Sequence, residues 1–189
     1  YKIHSFKGIG KIPKKVNKLS QVKTQKLLND LPMYLKGIGR TLESMPGKKA
    51  IFVILDSDDA DCAELKKDLV EMYEKSGVTV DVYFCIAIEE MEAWLLGDEK
   101  AIEEAYPQAK MPLLRKYVQD SIVGTWEYLA DVVYSGGVNA LKKKAESYYE
   151  IGLFKCECAG NIGMYLNIHE NKSPSFNYFI NKLNDFCEV

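Results

Sequence analysis

Apolar and polar positions fall in blocks along this chain, and each block predicts an element. Ala50-Ile51-Phe52-Val53-Ile54-Leu55 is an unbroken apolar run that ends on Asp56. A run this short suits a strand buried on both faces of a parallel sheet. Residues 61–76 then repeat at the helical period, with Leu65, Leu69, Met72 and Tyr73 on one face and Gly77 at the end. Asp59 or Asp61 is placed to cap the start of that helix. Residues 82–87 form a second apolar strand, so strand, helix and strand predict a βαβ unit with a right-handed crossover. Upstream, residues 1–6 predict a short strand. Residues 21–42 predict a helix broken near Pro32 and again at Gly37 or Gly39, and Met45-Pro46-Gly47 predicts a turn.

From Glu99 onward the pattern is helical. Residues 101–105, 122–134, 138–149 and 174–186 read as helices, with Gly136-Gly137 separating two of them. Ser173 is placed as a cap and Pro174 at the first helical position. The stretch Asn171-Lys172-Ser173-Pro174-Ser175-Phe176 reads equally as a loop against a substrate phosphate. Trp126, Tyr128, Tyr148, Tyr149, Tyr165, Phe176, Tyr178 and Phe179 are expected to pack rather than to stack on bases.

The chemistry sits where the strands end. Asp56 and Asp58 follow the first apolar run, at the strand ends where open α/β sheets carry their sites. Two carboxylates this close repel, and a hard cation such as Mg²⁺ between them relieves the repulsion. The second strand runs into Glu89-Glu90-Met91-Glu92-Ala93-Trp94-Leu95-Leu96-Gly97-Asp98. A helix starting at Glu89 would put Glu92 one turn on and aim Glu90 toward Trp94. Such acids also favour a helix N-terminus on their own account.

Charge is segregated although the net charge is only -2. Residues 1–49 carry 12 Lys or Arg against Asp30 and Glu43, whereas residues 50–109 carry 4 Lys against 16 acids. A basic lobe beside an acidic centre suits a protein that grips phosphates on one surface and cations on another. Lys7-Gly8-Ile9-Gly10-Lys11 reads as a flexible basic loop. The five cysteines are odd in number and scattered, which argues against a disulfide framework and for a reducing cytoplasm. No apolar run approaches the roughly 20 residues that a membrane helix needs.

Read together, Phe6-Lys7-Gly8, the run from Val53 to Cys62, the run from Ile86 to Asp98, Ala105-Tyr106-Pro107, Gly124-Thr125-Trp126-Glu127 and Asn171–Phe176 resemble the DUF4276 family across nearly the whole chain. That family in turn is similar to Toprim domains, the metal-binding α/β module of topoisomerases, primases and overcoming-lysogenisation-defect nucleases. The resemblance implies a Toprim-like Rossmannoid parallel sheet of about four strands with flanking helices. Residues 1–98 would be its α/β core and residues 99–189 a helical extension. It implies Mg²⁺ or Mn²⁺ held by Asp56 and Asp58, which match the Asp-x-Asp, and by Glu90 and Glu92, which match the Glu-x-Glu. A Toprim domain normally opens with a strand followed by a Glu, yet no Glu precedes Glu43 here. The expectation is that a first strand, helix and Glu lie outside this chain, or that the Glu is absent.

The function so implied is a metal-dependent nuclease or related phosphoryl-transfer enzyme acting on nucleic acid. Its setting would be a bacterial anti-phage defence system with an ATPase encoded nearby. Asp56, Asp58, Glu90 and Glu92 would be catalytic, and Lys7, Lys11, Lys14 and Lys15 would bind the nucleic-acid backbone. A non-catalytic regulatory partner of an ATPase is the alternative, and a hydrolase of small phosphate esters is a third.

Overall fold

The computed structural model describes residues 1–12 and 25–188. Its elements run α1 (Leu27–Glu43), β1 (Ala50–Asp56), α2 (Cys62–Ser76), β2 (Asp81–Ala87), α3 (Glu92–Leu96), α4 (Glu99–Ala105), α5 (Met111–Leu114), α6 (Thr125–Val133), α7 (Gly137–Lys144), α8 (Tyr148–Gly163) and α9 (Pro174–Cys187). The fold is mixed α/β, with a small parallel sheet of β1 and β2 and many helices. The chain divides into two units. One comprises Tyr1–Leu55 and Ala60–Ile86, and the other Asp56–Asp59 and Ala87–Glu188.

In the first unit the βαβ reading is realised. Asp61 caps α2 by accepting the amides of Ala63 and Glu64, both at 2.9 Å. Leu69 and Met72 of α2 are buried against Leu27, Leu28, Leu31 and Leu35 of α1. Ile51, Val53 and Leu55 of β1 join this core with Val82, Phe84 and Ile86 of β2. Burial on both faces of β1 is not what forms. Its alternate positions diverge, for Val53 and Leu55 are 5% exposed and Ile54 is 40% exposed. Helices α1 and α2 pack with one face of the two-stranded sheet, and on the other Phe52 meets Tyr83 at a ring separation of 5.0 Å.

Three other expectations also give way here. Residues 1–6 are not a strand, and among the described residues the sheet has two strands rather than about four. Helix α1 runs unbroken through Pro32, Gly37 and Gly39, because burial of its leucine face outweighs their poor propensity. The basic loop is tied to the segment that opens α1. Lys7 donates to the Gln25 carbonyl and Lys11 to Asn29 Oδ1, while the Gly8 and Ile9 carbonyls accept the amides of Leu27 and Leu28. The loop thereby satisfies two of the orphan donors of α1.

In the second unit, Leu96, Ile102, Leu129, Val132 and Ile162 bring α3, α4, α6 and α8 onto one core. A smaller cluster joins Ala87 and Trp94 to Phe176 and Ile180 of α9. Phe176 packs as expected, and Phe179 stacks on Trp94 at 5.4 Å. Tyr148 and Tyr149, by contrast, are 87% and 73% exposed, and Tyr165 is also on the surface. The predicted helix over residues 138–149 is two elements, since α7 stops at Lys144 and α8 starts at Tyr148. Among the described residues no helix is long and apolar enough to cross a membrane, and no cysteine forms a disulfide.

Candidate active site

The turns that follow β1 and β2 are fastened to each other by their own backbones. Ser57 donates its amide to the Ala87 carbonyl at 2.9 Å, and the Asp58 amide donates to the Glu89 carbonyl at 2.9 Å. The Glu89 amide returns to Ser57 Oγ at 2.8 Å. Asp58 and Glu89 both adopt left-handed backbone, at φ 46° and 60°. That conformation is costly for residues with a side chain and concentrates at functional sites. A left-handed Glu89 cannot open a helix, so α3 starts at Glu92 instead.

This shift separates the three glutamates. The Glu89 carboxylate turns to the N-terminus of α6, where it accepts the amides of Gly124 at 2.8 Å, Thr125 at 2.9 Å and Val123 at 3.2 Å. It fills the role of a helix cap from a distant part of the chain. Gly124 permits the arrangement with φ 75°, a conformation that suits glycine. Glu90 and Glu92 point elsewhere. Lys155 of α8 sets its ammonium 3.0 Å from Glu90 Oε1 and 3.3 Å from Glu92 Oε1. Thr125 Oγ1 donates a long bond of 3.4 Å to the other Glu90 oxygen.

Asp56 completes the group. Its Oδ1 is buried and has no hydrogen-bond partner among the described residues. Burial first, then the neighbouring Glu92, pushes its carboxyl up to about 7; Glu90 and Asp58 add to the rise and Lys155 opposes it. Burial also raises Glu92, against the pull of Lys155. For Lys155, burial favours the neutral amine, but Glu92 and Glu90 outweigh it and hold the ammonium above its ordinary value. Asp58 is exposed. Among the described residues, no three His, Cys, Asp or Glu side chains are already arranged around a point where a metal ion would sit.

Of the residues the sequence singled out, Asp56, Glu90 and Glu92 are therefore mutually coupled, with Asp58 on the same turn as Asp56. Lys7 and Lys11 lie exposed in the first unit. Lys14 and Lys15 fall outside the described residues. The sequence reading missed Ser57, Thr125 and Lys155. Lys155 carried a weak signal, a lone cation within Leu153-Phe154-Lys155-Cys156.

The Asn171–Phe176 stretch is built into the internal architecture of the second unit. Buried Asn171 donates from Nδ2 to the Trp94 carbonyl at 2.8 Å and accepts the Ser173 amide at 2.9 Å. Lys172 donates its amide to the Gly97 carbonyl. Gly97 is required here, because a Cβ would collide with Asn171 Oδ1. Asp120 accepts the Ser173 hydroxyl and the Ser175 amide, both at 2.7 Å, and Ser175 Oγ accepts the Trp94 indole at 2.9 Å. Asp98 caps α4 through Ala101 and holds the Asn167 amide.

The fold and this site define an α/β protein with a desolvated cluster of carboxylates following β1 and β2. The chain belongs to the DUF4276 family, described as a domain of unknown function, whose model matches residues 1–184. No curated protein and no solved structure matches the chain.

Proposed function

We propose that this chain is a divalent-cation-dependent hydrolase of phosphodiester bonds in nucleic acid, with its centre at Asp56, Asp58, Glu90 and Glu92. The observation that carries the reading is the buried, unpartnered Oδ1 of Asp56 amid three further carboxylates. A buried polar atom normally finds a partner, and a carboxylate oxygen among like charges suits a hard cation. The donor set fits Mg²⁺ or Mn²⁺ in kind. Asp56 and Asp58 would hold it, with Glu92 in support, while Glu90 stays with Lys155 and Thr125. Such an ion, when bound, lowers the pKa of water and neutralises charge on a phosphate. Asp56 would give up its proton as the ion binds, since its carboxyl titrates near neutrality without one. Ser57 and the left-handed pair Asp58 and Glu89 keep the acidic turns in register. Lys7 and Lys11 would contribute sequence-independent phosphate contacts. The Toprim-like relationship, an anti-phage setting and a neighbouring ATPase belong to the same proposal and rest on the sequence resemblance.

One observation favours a second reading. Lys155 already neutralises part of the cluster, as befits a non-catalytic regulatory partner of an ATPase that has kept the fold and lost the chemistry. Asp58→Asn separates the two, because it removes one charge at nearly constant size. Under the hydrolase reading the full-length protein, alone and with its neighbouring ATPase, loses Mg²⁺-dependent cleavage of plasmid, single-stranded DNA or tRNA. Unchanged cleavage in the folded variant would sink the assignment of Asp58.

A further inference from the structure

We propose that Lys155 is an exchangeable internal counter-ion: its ammonium stands between Glu90 and Glu92 in place of a divalent cation, and a cation bound at Asp56 displaces it from Glu92. The proposal rests on the cation reading above and adds to it the means by which the site exists without its ion.

The geometry is that of a substitute. One ammonium bridges two carboxylates at 3.0 and 3.3 Å, one from the turn after β2 and one from the first residue of α3. The Glu92 side chain is only 7% exposed, so it needs a positive partner at all times. An ammonium is a compact point charge on a flexible four-carbon stem, closer to a metal ion in behaviour than a planar guanidinium is. Yet the substitution is incomplete. Lys155 leaves Asp56 Oδ1 without a partner, and one ammonium serves the three carboxylates of Asp56, Glu90 and Glu92. The residual negative charge still attracts a cation. A divalent ion sharing Glu92 with Lys155 would repel the ammonium strongly at such range, so exchange replaces coexistence. The Lys155 side chain is 28% exposed, which gives the stem a way out to water while Nζ keeps its bond to Glu90.

A static ion pair and an exchangeable one differ in the sign of one effect. Mn²⁺ affinity is measured by calorimetry on the full chain for the wild type, Lys155→Met, Lys155→Arg and Asp56→Asn. Removing the competitor in Lys155→Met should tighten Mn²⁺ binding at least tenfold, lower the melting temperature without metal and enlarge the rise that Mn²⁺ produces. Lys155→Arg should stay near the wild type, and Asp56→Asn should lose binding. If the wild type binds Mn²⁺ through Asp56 and Lys155→Met binds no tighter, the counter-ion role is overturned and the cation reading stands. If neither wild type nor Lys155→Met binds, both fall. Should Lys155→Met fail to fold, trace acetylation of the wild type followed by mass spectrometry decides. Labelling of Lys155 should rise severalfold on adding Mn²⁺ and stay level in Asp56→Asn. No rise in the wild type overturns the proposal.

Discussion

Asp56 destabilises the fold it sits in. A carboxyl held near 7, against 3.8 in the unfolded chain, keeps its proton in the native state through a pH range where the unfolded chain has lost it. Stability therefore falls as pH rises from about 4 to about 7, and above that range the whole cost is present. At about 1.4 kcal/mol per pH unit between 3.8 and about 7, the cost is on the order of 4 kcal/mol. Asp56→Asn should raise the urea midpoint at pH 8 in the presence of EDTA, and the gain should vanish near pH 4. Equal gains at both pH values would refute the burial argument. Asp58 carries a second local cost, its left-handed backbone. Asp58→Gly should keep or improve the melting temperature, by up to about 1 kcal/mol, through relief of that strain. A stability loss above about 1 kcal/mol would mean that the Asp58 side chain has a structural partner. Ser57 has the opposite sign. Buried Ser57 Oγ accepts the Glu89 amide, so Ser57→Ala should cost about 1–3 kcal/mol by leaving that donor unpaired.

At the scale of elements, the capping of α6 by Glu89 joins the two acidic turns to the helical portion. Glu89→Ala removes one acceptor from three backbone amides and should destabilise by about 1–2 kcal/mol. Glu89→Gln should recover about half of that, and hydrogen exchange at Gly124 and Thr125 should report the loss directly. Unaltered exchange there would refute the capping role. These elements also mark how far the sequence could be read. The strand and helix of residues 50–87 were legible because an apolar run, a helical period, an Asp cap and a terminal Gly all agree. The start of α3 was not, since three acids within four residues favour a helix N-terminus and nothing local reports that Glu89 turns left-handed. Helix α8 escaped because only Cys158 and Ile162 of it are buried, so its sequence lacks an amphipathic stripe. Losing α8 meant losing Lys155. Of the site, the carboxylates could be read from their places after two apolar runs. Their cationic partner could not, because it comes from a remote helix with no pattern of its own. The first residues misled in another way. Residues 1–6 suggested a strand, but the chain just after them bonds to the start of α1, where the Gly8 and Ile9 carbonyls accept the amides of Leu27 and Leu28.

For the whole molecule, charge segregation makes a prediction. If the basic residues of the first unit grip a phosphate backbone, affinity for single-stranded DNA should fall with salt at a log-log slope of roughly -3 to -4 for about four contacts. Replacing Lys7, Lys11, Lys14 and Lys15 together by Ala should flatten that slope, while Asp58→Asn should leave it unchanged. A slope insensitive to the lysine replacements would place nucleic-acid binding elsewhere or remove it. The bridge from Lys155 to Glu92 also has a consequence for the order of synthesis. The ammonium lies 155 − 92 = 63 residues downstream of the carboxylate it neutralises. At a ribosomal rate of about 5–20 residues per second, several seconds separate the two. During that interval Glu90 and Glu92 have no cation from this chain and stay in water, where an uncompensated charge is least costly. The first unit can close on its leucines while the nascent chain is still short, whereas the acidic cluster is withdrawn from solvent only after α8 has emerged. A ribosome stalled before residue 155 should thus display a protease-resistant first unit beside an acidic turn still open to cleavage.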